Sequence, residues 1–463
     1  MRFATLTTSI ALALTGAALL PAAAGASPGQ SALFQDDHLL LERGDGQRQA
    51  TLDEVRGLGV DMIKVQLNWS SVAPGARSKP SGFDATDPSQ YPGWGRYDAV
   101  LADARARGLK VMFALAPPAP GWATTGTQRD REGVNRPSAR EFGRFAEAAA
   151  RHFPGVDVWT LWNEPNHPGH LYPQSVNGRP VAPHIYREMV RAGERGLARG
   201  GAERDPILFG ELLPIGKSST GPKRNLKPLR FLRAFFSRGR RLTGLDGFAY
   251  HPYTRPAGPM LIEPSADDAT IRSYGRVGRV LDSARARGRI AGGRMPIWNT
   301  EFGFQTNPPD PFMADIARVP YFWSVSELWF SYPNRRIKSI SQYTMNDQPG
   351  GASLWQSGLR FADGSPKTNI YDNFRLPILV RQIGPGAVEV RGDARPGGAG
   401  TTVQVQQRGG RGPFKNLGGP MQIRNKRGYF VARYRIAKAT ARTFRFTAGG
   451  AASLAVKPVG IFR

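Results

Sequence analysis

The sequence predicts a (β/α)8 barrel, in which eight parallel strands alternate with helices, followed by a small all-β sandwich. A chain of 463 residues, 40% of them hydrophobic and 10% aromatic, suits a barrel of about 250 residues or more plus an additional module. Between residues 31 and 346, short apolar runs alternate with amphipathic stretches, which is typical of a parallel sheet with crossover helices. After about residue 375, short alternating runs separated by Gly-rich turns indicate an antiparallel sandwich.

Eight strand-like runs can be counted in the first part of the chain. The main alternative is a doubly wound open sheet, but no Gly-rich GxGxxG turn follows the first run. The predicted strands are ALFQ (32–35), DMIKVQL (61–67), LKVMFAL (109–115), VDVWTLW (156–162), PILFG (206–210), LDGFAY (245–250), MPIWNTE (295–301) and IKSISQYT (337–344).

The segments between these runs have a helical pattern. In YDAVLADARARG and SAREFGRFAEAAARHF, apolar residues recur at three- and four-residue spacing. ARARG occurs twice, with its glycine placed where a helix ends. We therefore expect a barrel domain at 27–375 and a basic β-sandwich accessory domain at 376–463. The predicted strands of the sandwich are AVEVRGDA, TTVQVQQ, GYFVARYRI, RTFRFTA and ASLAVKP.

Residues 1–26 are typical of a signal peptide. Arg2 precedes the apolar run SIALALTGAALL, and Ala24-Gly25-Ala26 fits a signal-peptidase site. The run is shorter than the roughly 20 residues needed to span a bilayer, and no later segment is both long and apolar enough. We expect a secreted, extracellular protein that begins near Ser27 and has no transmembrane segment; a retained signal anchor is the alternative.

The absence of cysteine and the high positive charge limit the kinds of function that the protein can have. The chain has no cysteine, which excludes disulfides, thiol catalysis, Fe–S clusters and Cys-zinc sites. Its net charge is +27, and from Pro377 onward 16 basic residues stand against two acids, Glu389 and Asp393. Such a surface attracts polyanions, and no nucleic-acid-binding motif accompanies it. Acidic cell-wall polymer is one partner considered for this domain; the alternatives are that it binds carbohydrate, that it only covers one side of the barrel, and that its basic surface is merely solvated.

Position along the barrel selects the candidate catalytic residues, because the C-terminal ends of barrel strands share one rim. Glu164 ends the fourth run, Glu301 ends the seventh, and His251 and Tyr253 follow the sixth. Two carboxylates facing each other across a barrel mouth are what glycoside hydrolysis needs, since one must be protonated and the other ionised. Glu211, after the fifth run, is interpreted as a member of a salt bridge.

Three segments carry a family resemblance. WNEPN (162–166), HPY (251–253) and WNTEFGF (298–304) resemble the retaining glycoside hydrolases of clan A, especially families 5 and 39, over residues 31–375. The resemblance implies a secreted enzyme that cleaves O-glycosidic bonds of a polysaccharide or oligosaccharide by double displacement, without a cofactor. A catalytically inactive carbohydrate-binding or envelope-associated barrel is the alternative.

The same resemblance implies roles for individual residues. Glu164 would be the general acid/base, Asn163 would bind the sugar 2-hydroxyl, and Glu301 would be the nucleophile. Tyr253 and His251 would approach Glu301, with the tyrosine hydroxyl holding its carboxylate. The carboxyl groups of a retaining pair lie about 5 to 5.5 Å apart, against roughly 6.5 to 9.5 Å for an inverting pair.

The second and third strands depart from the family 5 pattern. Members commonly carry an Arg on the second strand and a His or Asn closing the third, whereas this chain has IKVQLNW and VMFALAPP. We therefore expect Gln66 or Asn68 to complete the sugar subsite.

Tryptophans in the loops are candidates for sugar binding, since sugar rings pack well on indole. Trp69, Trp122 and Trp355 are the predicted substrate contacts, with Trp298 also considered, whereas Trp159 and Trp162 are expected in the core. Other mechanisms fit less well, because HExxH, GxSxG and Walker-type motifs are lacking. No metal is expected, including at HPGH (167–170).

Overall fold

A computed structural model of the chain describes residues 29–125, 132–351 and 354–460. Eight parallel strands lie side by side in chain order, and the bridge from Ile297 to Ile337 joins the seventh to the eighth, which itself pairs with the first. This closure confirms the predicted (β/α)8 barrel and rules out an open sheet. The strands are β1 Ser31–Gln35, β2 Met62–Asn68, β3 Lys110–Ala116, β4 Val158–Leu161, β5 Ile207–Leu212, β6 Gly247–Tyr250, β7 Ile297–Asn299 and β8 Ser339–Tyr343.

Helices follow the strands and cover the outside of the barrel. The longer ones are α1 Gly44–Gly57, α2 Gly95–Ala106, α3 Ala139–His152, α4 Ala182–Leu197, α5 Pro228–Phe235, α6 Tyr274–Ala286, α7 Val319–Val325 and α8 Ile370–Arg375. The chain also forms short helical turns at His38–Glu42, Trp69–Val72, Pro88–Gln90, Gly121–Ala123, Ala198–Ala202, Ile271–Ser273, Ile316–Arg318, Ser326–Ser331 and Ala439–Ala441. Two pairs of two-residue strands lie in the loops: Ser175–Val176 pairs with Arg179–Pro180, and Thr306–Asn307 pairs with Ala314–Asp315.

Local sequence explains where these helices begin and end. α3 begins after Ser138, whose hydroxyl accepts a hydrogen bond from the backbone N–H of Glu141 and so caps the helix. The two ARARG segments end α2 and α6, and their glycines, Gly108 and Gly288, have φ of +68° and +65°. Glycine adopts this left-handed conformation without a Cβ clash, so the predicted helix ends are confirmed.

The barrel interior changes from apolar to charged along the strands. Leu33, Met62, Met112, Val158, Leu208 and Ala249 form one buried cluster, against which Trp298 packs. Side chains of a strand alternate between its two faces, so Lys64 and Gln66 of β2 lie on the same inner face as Met62. Lys64 is fully buried, which places a positive charge inside the barrel just above this apolar layer. Trp298 belongs to that layer and does not form a sugar-binding wall.

Two antiparallel sheets follow α8, as the fold prediction requires. The first contains β9 Ile378–Gly384, β10 Ala387–Asp393 and β12 Tyr429–Arg435; the second contains β11 Thr402–Gly409 and β13 Arg442–Ala448, extended by the two-residue strands Lys415–Asn416, Met421–Gln422 and Ala451–Ala452. Their inward residues, including Val390, Val405 and Phe446, form a core separate from the barrel core. The division at residue 375 into independent domains stays a prediction.

Two details of this region differ from the sequence analysis. β9 was not among the expected strands, because its apolar start, ILV, directly follows the Pro expected to end the barrel. ASLAVKP is not a strand of its own: only Ala451–Ala452 is, and Val456 forms an isolated bridge to Phe444.

Charged side chains join the barrel to the first C-terminal sheet. Arg395 donates to Glu327 at 2.9 Å, Tyr429 donates to the other oxygen of Glu327 at 2.9 Å, and Arg395 lies 3.3 Å from Asp393. We call these four residues the interface cluster. Each side chain of its ion pairs is at most 3% exposed, so the cluster is closed to solvent.

The predicted signal peptide lies outside the described residues. Among the helices of the described parts of the chain, none has the length and apolar character needed to cross a membrane.

Candidate functional site

The two predicted catalytic carboxylates meet at the mouth of the barrel. Glu164 follows β4 and Glu301 follows β7, and one oxygen of each lies within 4.8 Å of the other and of a ring nitrogen of His251. Their side chains are 12% and 10% exposed, so both face an opening rather than the core. An upper limit of 4.8 Å between the nearest oxygens is compatible with the roughly 5 to 5.5 Å between the carboxyl groups of a retaining pair.

His251 and Tyr253 position these carboxylates from the sixth strand. The Tyr253 hydroxyl donates to Oε1 of Glu301 at 2.9 Å, a contact that the family resemblance implies. His251 does more than expected, because its Nδ1 lies 2.9 Å from Oε1 of Glu164 while its Nε2 is hydrogen-bonded to Glu211 and lies 3.7 Å from Oε2 of Glu301. One imidazole therefore contacts all three carboxylates.

Glu211 and Lys64 form the buried floor of the site. Both are fully buried, and Lys64 Nζ lies 2.7 Å from Oε2 of Glu211 and 3.7 Å from Oε2 of Glu301. The hydroxyls of Thr160 and Thr300 also donate to Glu211, at 2.8 and 3.2 Å. We call Lys64, Glu164, Glu211, His251 and Glu301 the mouth cluster.

The interpretation of Glu211 as a salt-bridge residue is confirmed, but the sequence analysis missed that this salt bridge lies directly beneath the candidate catalytic pair. Lys64 was missed altogether. A lysine at an inner-face position of an apolar strand was the available signal, because a lone buried ammonium is costly and demands a buried carboxylate partner.

Burial and charge fix the protonation states of the cluster. Burial alone would raise the pKa of Glu211, but Lys64 and His251 lower it to about 2. Burial alone would lower the pKa of His251, but Glu301 and Glu211 raise it to about 9. Burial raises the pKa of Glu164 despite the opposing effect of His251. At neutral pH the floor is thus a carboxylate between two cations.

The backbone at the carboxyl ends of β4 and β5 adopts an unusual conformation. Trp162, Glu164 and Glu211 have φ of +71°, +42° and +49°, a left-handed region that non-glycine residues rarely occupy. The N–H of Glu164 donates to the carbonyl of Glu211 at 3.0 Å. Asn166 ties the two loops together, because its amide bonds backbone groups of Leu213.

Asn163 and Trp355 are two further residues predicted to contact the substrate. Asn163 is 4% exposed, and its Oδ1 is buried without a hydrogen-bond partner. The Trp355 ring centroid lies 5.1 Å from that of Tyr253 and 5.9 Å from that of Tyr343. Their roles as substrate-binding residues stay predictions.

The other predicted binding residues are engaged elsewhere. Trp69 is a correction: its indole has no exposed surface and stacks on Phe145 at 5.3 Å, so it belongs to the core. Asn68 is a second correction, since its side chain holds the turn after β2 by donating to the Pro117 carbonyl and accepting from Ser70. Trp122 is partly exposed, but its ring packs edge-on against Trp69 and Phe83.

Glu164, His251 and Glu301 are the described residues close enough together to hold a metal ion. Metal ligation by histidine requires a free ring nitrogen. Both nitrogens of His251 contact carboxylates, and its raised pKa keeps both protonated. The arrangement favours an imidazolium over a metal ligand, and the absence of a metal stays a prediction. His167 and His170 of HPGH have ring centroids 5.0 Å apart.

Comparison with known proteins shows that the fold of this chain is similar to that of solved structures. No protein-family model matches the chain, and no curated protein matches it either. A monomeric beta-xylosidase from Caulobacter crescentus CB15 matches with a TM-score of 0.51 at 15% identity, over 91% of this chain and 98% of that one. A structure of a GH39 beta-xylosidase from Caulobacter crescentus matches with a TM-score of 0.51 at 14% identity, over 90% and 98%. The resemblance to clan A glycoside hydrolases is thus confirmed for the fold.

Proposed function

We propose that the protein is a retaining glycoside hydrolase that acts on a polysaccharide or oligosaccharide. The observation that carries this proposal is the pairing of Glu164 and Glu301, whose carboxylate oxygens lie within 4.8 Å of each other in different electrostatic surroundings. Glycosidases of this mechanism need one carboxyl group as acid and the other as nucleophile.

In the first step, Glu301 attacks the anomeric carbon while Glu164 protonates the departing oxygen. Lys64 and His251 each lie 3.7 Å from Oε2 of Glu301, and Tyr253 donates a hydrogen bond to Oε1. Oε2 is buried and has no hydrogen-bond partner. Burial raises the pKa of Glu164, the direction that favours its role as acid.

In the second step, Glu164 accepts a proton from water, and the resulting hydroxide displaces Glu301 from the sugar. After the first step Glu164 is a carboxylate, and the Nδ1–H of His251, 2.9 Å away, stabilises that negative charge. The same hydrogen bond strengthens during the first step, as negative charge develops on Glu164, so it stabilises that transition state more than its ground state.

The proposal is tested with Glu164→Gln on aryl glycosides of two kinds. For a poor leaving group, kcat should fall about 10²- to 10⁴-fold, because protonation of the oxygen is lost. For a good leaving group the first step should be much less affected. Glu188→Gln, which neutralises an exposed glutamate on α4, is the matched control and should leave kcat unchanged.

An inactive barrel that only binds carbohydrate would hydrolyse no member of a panel of chromogenic glycosides and polysaccharides. That outcome with the folded wild-type chain contradicts the proposal.

We further propose that the protein is secreted and contacts acidic wall polymer through its C-terminal sheets. Part of the positive charge of these sheets is neutralised within the protein, because Arg381, Arg391 and Arg433 all form ion pairs with buried Glu389. On the second sheet, the guanidinium groups of Arg408 and Arg445 instead lie over the Phe414 ring, at 4.6 and 4.1 Å.

Arg408→Gln/Arg445→Gln should weaken salt-sensitive retention of the full chain on anionic wall material. Arg233→Gln, on α5 of the barrel, is the control. Equal retention of both variants at low ionic strength contradicts this partner. Secretion is tested by N-terminal sequencing of protein from culture medium, which should begin near Ser27; recovery only in the cell pellet contradicts it.

A further inference from the structure

His170 lies beside the candidate acid, in the loop that follows β4. It is the last residue of HPGH, a motif to which the proposed chemistry gives no role. Its Nδ1 is 3.5 Å from Oε2 of Glu164, whereas Oε1 of the same carboxyl group is 2.9 Å from Nδ1 of His251. Glu164 therefore has an imidazole ring beside each of its two oxygens.

A series of hydrogen bonds holds this loop next to Glu164. The N–H of His167 donates to the carbonyl of Glu164 at 2.8 Å, and the N–H of His170 donates to the carbonyl of His167 at 3.0 Å. The indole N–H of fully buried Trp162 donates to the carbonyl of His170 at 2.9 Å. Two successive turns thus bring the His170 ring back to the carboxyl group of Glu164, on a backbone that is anchored in the core.

The Nδ1 atom of His170 is an independent indication of a role. This atom is buried and has no hydrogen-bond partner, although 32% of the side chain is exposed. A buried ring nitrogen without a partner is costly, and a donor that approaches it during function would remove that cost. Oε2 of Glu164, at 3.5 Å, is slightly too far for a formed hydrogen bond. Hydrogen bonds of catalytic groups are often this long without substrate and tighten when substrate binds.

The surroundings of His170 favour a neutral ring. In the described parts of the chain, the titratable groups that face it are Glu164, His167 and His251. Burial, followed by His167 and His251, lowers the pKa of His170 to about 3, whereas that of His251 is about 9. A protonated imidazole has only donors, but a neutral one keeps an acceptor nitrogen. At neutral pH, His251 can therefore only donate to Glu164, while His170 can accept from it.

We propose that His170 is a positioning residue that accepts the acid hydrogen of Glu164. Because Oε1 already faces the N–H of His251, the hydrogen of protonated Glu164 lies on Oε2, the oxygen beside Nδ1 of His170. This contact favours the protonated form of Glu164, and the hydrogen bond from His251 favours the ionised form. The two rings thus act in opposite directions on a group that must be an acid in one step and a base in the next. The inference rests on the proposed glycosidase function and deepens it by stating how the acid of that site is regulated.

The first test measures kcat/KM of His170→Phe on aryl glycosides over a range of pH. Phenylalanine keeps a ring but has no acceptor nitrogen. For a poor leaving group kcat/KM should fall about tenfold, because a hydrogen bond that favours the acid is lost. A good leaving group needs little protonation and should be much less affected. The alkaline limb of the pH profile should move to lower pH by about 0.5–1 unit, because Glu164 loses its proton more easily.

Two further variants show whether the acceptor nitrogen is responsible. His170→Asn should restore most of the loss, because its amide oxygen can accept close to the former position of Nδ1. His184→Phe is the matched control: His184, on α4, also has a buried Nδ1 without a partner, and its replacement should change neither kcat/KM nor the alkaline limb. An equal loss for both leaving groups, or an alkaline limb that stays in place, means that His170 only supports the fold and overturns the proposal.

The second test does not depend on turnover. In the full wild-type chain near neutral pH, NMR of the ring nitrogens should show His170 as a neutral ring with its hydrogen on Nε2, the resonances being assigned by their loss in His170→Asn. A hydrogen on Nδ1 overturns the proposal, since that nitrogen could then not accept. A wild-type chain that hydrolyses no glycoside contradicts the proposed function, whereas an active chain with a hydrogen on Nδ1 contradicts this inference alone. The two failures are therefore distinguishable.

Discussion

The mouth cluster and the interface cluster are built from the same kinds of residue but differ in their access to solvent. In the interface cluster, the Glu327 and Arg395 side chains are 0% and 3% exposed. In the mouth cluster, Lys64 and Glu211 are equally buried, but Glu164 and Glu301 are 12% and 10% exposed.

The two clusters also differ in how they hold their charge. In the interface cluster, burial and the neighbouring Glu327 raise the pKa of Asp393 well above its usual value, although Arg395 opposes this. The mouth cluster instead holds Glu211 ionised between Lys64 and protonated His251. The comparison indicates that a buried network of charged residues can take part in catalysis only where part of it is accessible to substrate.

The largest effect on stability is expected from Arg395→Met, which removes the cation of the interface cluster. The variant leaves Glu327 buried without its counter-ion, and the free energy of unfolding should fall by about 3–5 kcal/mol. Chemical denaturation measures this loss. Arg233→Met, whose ion pair with Asp267 is exposed, is the control and should change stability by about 0–1 kcal/mol. A loss as small as that of the control would show that the interface cluster is not stabilising.

The second-largest expected effect is a dependence of the free energy of unfolding on pH, caused by the titration of His251. Because folding raises its pKa from 6.5 to about 9, its contribution is fully present below pH 6.5 and is lost as the pH rises through 9. The expected loss is about 2–4 kcal/mol, measured by denaturation at a series of pH values. His251→Asn should flatten this slope, whereas His152→Gln should retain it. A slope unchanged by His251→Asn contradicts the assignment.

A smaller effect is expected on catalysis from Glu211→Gln, because Glu211 positions His251 and does not touch substrate. We expect kcat to fall about 10- to 100-fold, equal to about 1.4–2.8 kcal/mol, with little change in KM. The pKa of His251, followed by NMR, should fall from about 9 toward its ordinary value. A purely structural role for Glu211 would lower the yield of folded protein but leave the pKa of His251 unchanged.

The smallest effect is expected from Trp355→Phe, which keeps an aromatic ring but reduces its area beside Tyr253. Substrate affinity should fall by about 0.5–1.5 kcal/mol, measured as an increase in KM. Trp69→Phe should leave KM unchanged, because Trp69 is fully buried. An equal change in both variants would mean that Trp355 acts through packing alone.

The sequence predicted the barrel and the meeting of Glu164 with Glu301 because both follow from periodicity and strand order. The positions of all eight strands are correct to within a few residues, and every strand end falls on the same rim. Contacts between side chains from different strands carry no such local signal. The sequence therefore did not reveal that Lys64 of β2 pairs with Glu211 of β5, nor that the Trp69 indole turns away from the mouth.

The left-handed backbone at Glu164 and Glu211 has a consequence for evolution and engineering. Each such residue costs about 1–3 kcal/mol relative to a relaxed conformation. Glycine at either position would relieve this cost while removing a charged group of the mouth cluster. Selection for heat resistance alone is thus expected to favour replacement of Glu164, whereas at Glu211 the same change would leave buried Lys64 without its counter-ion and so be opposed.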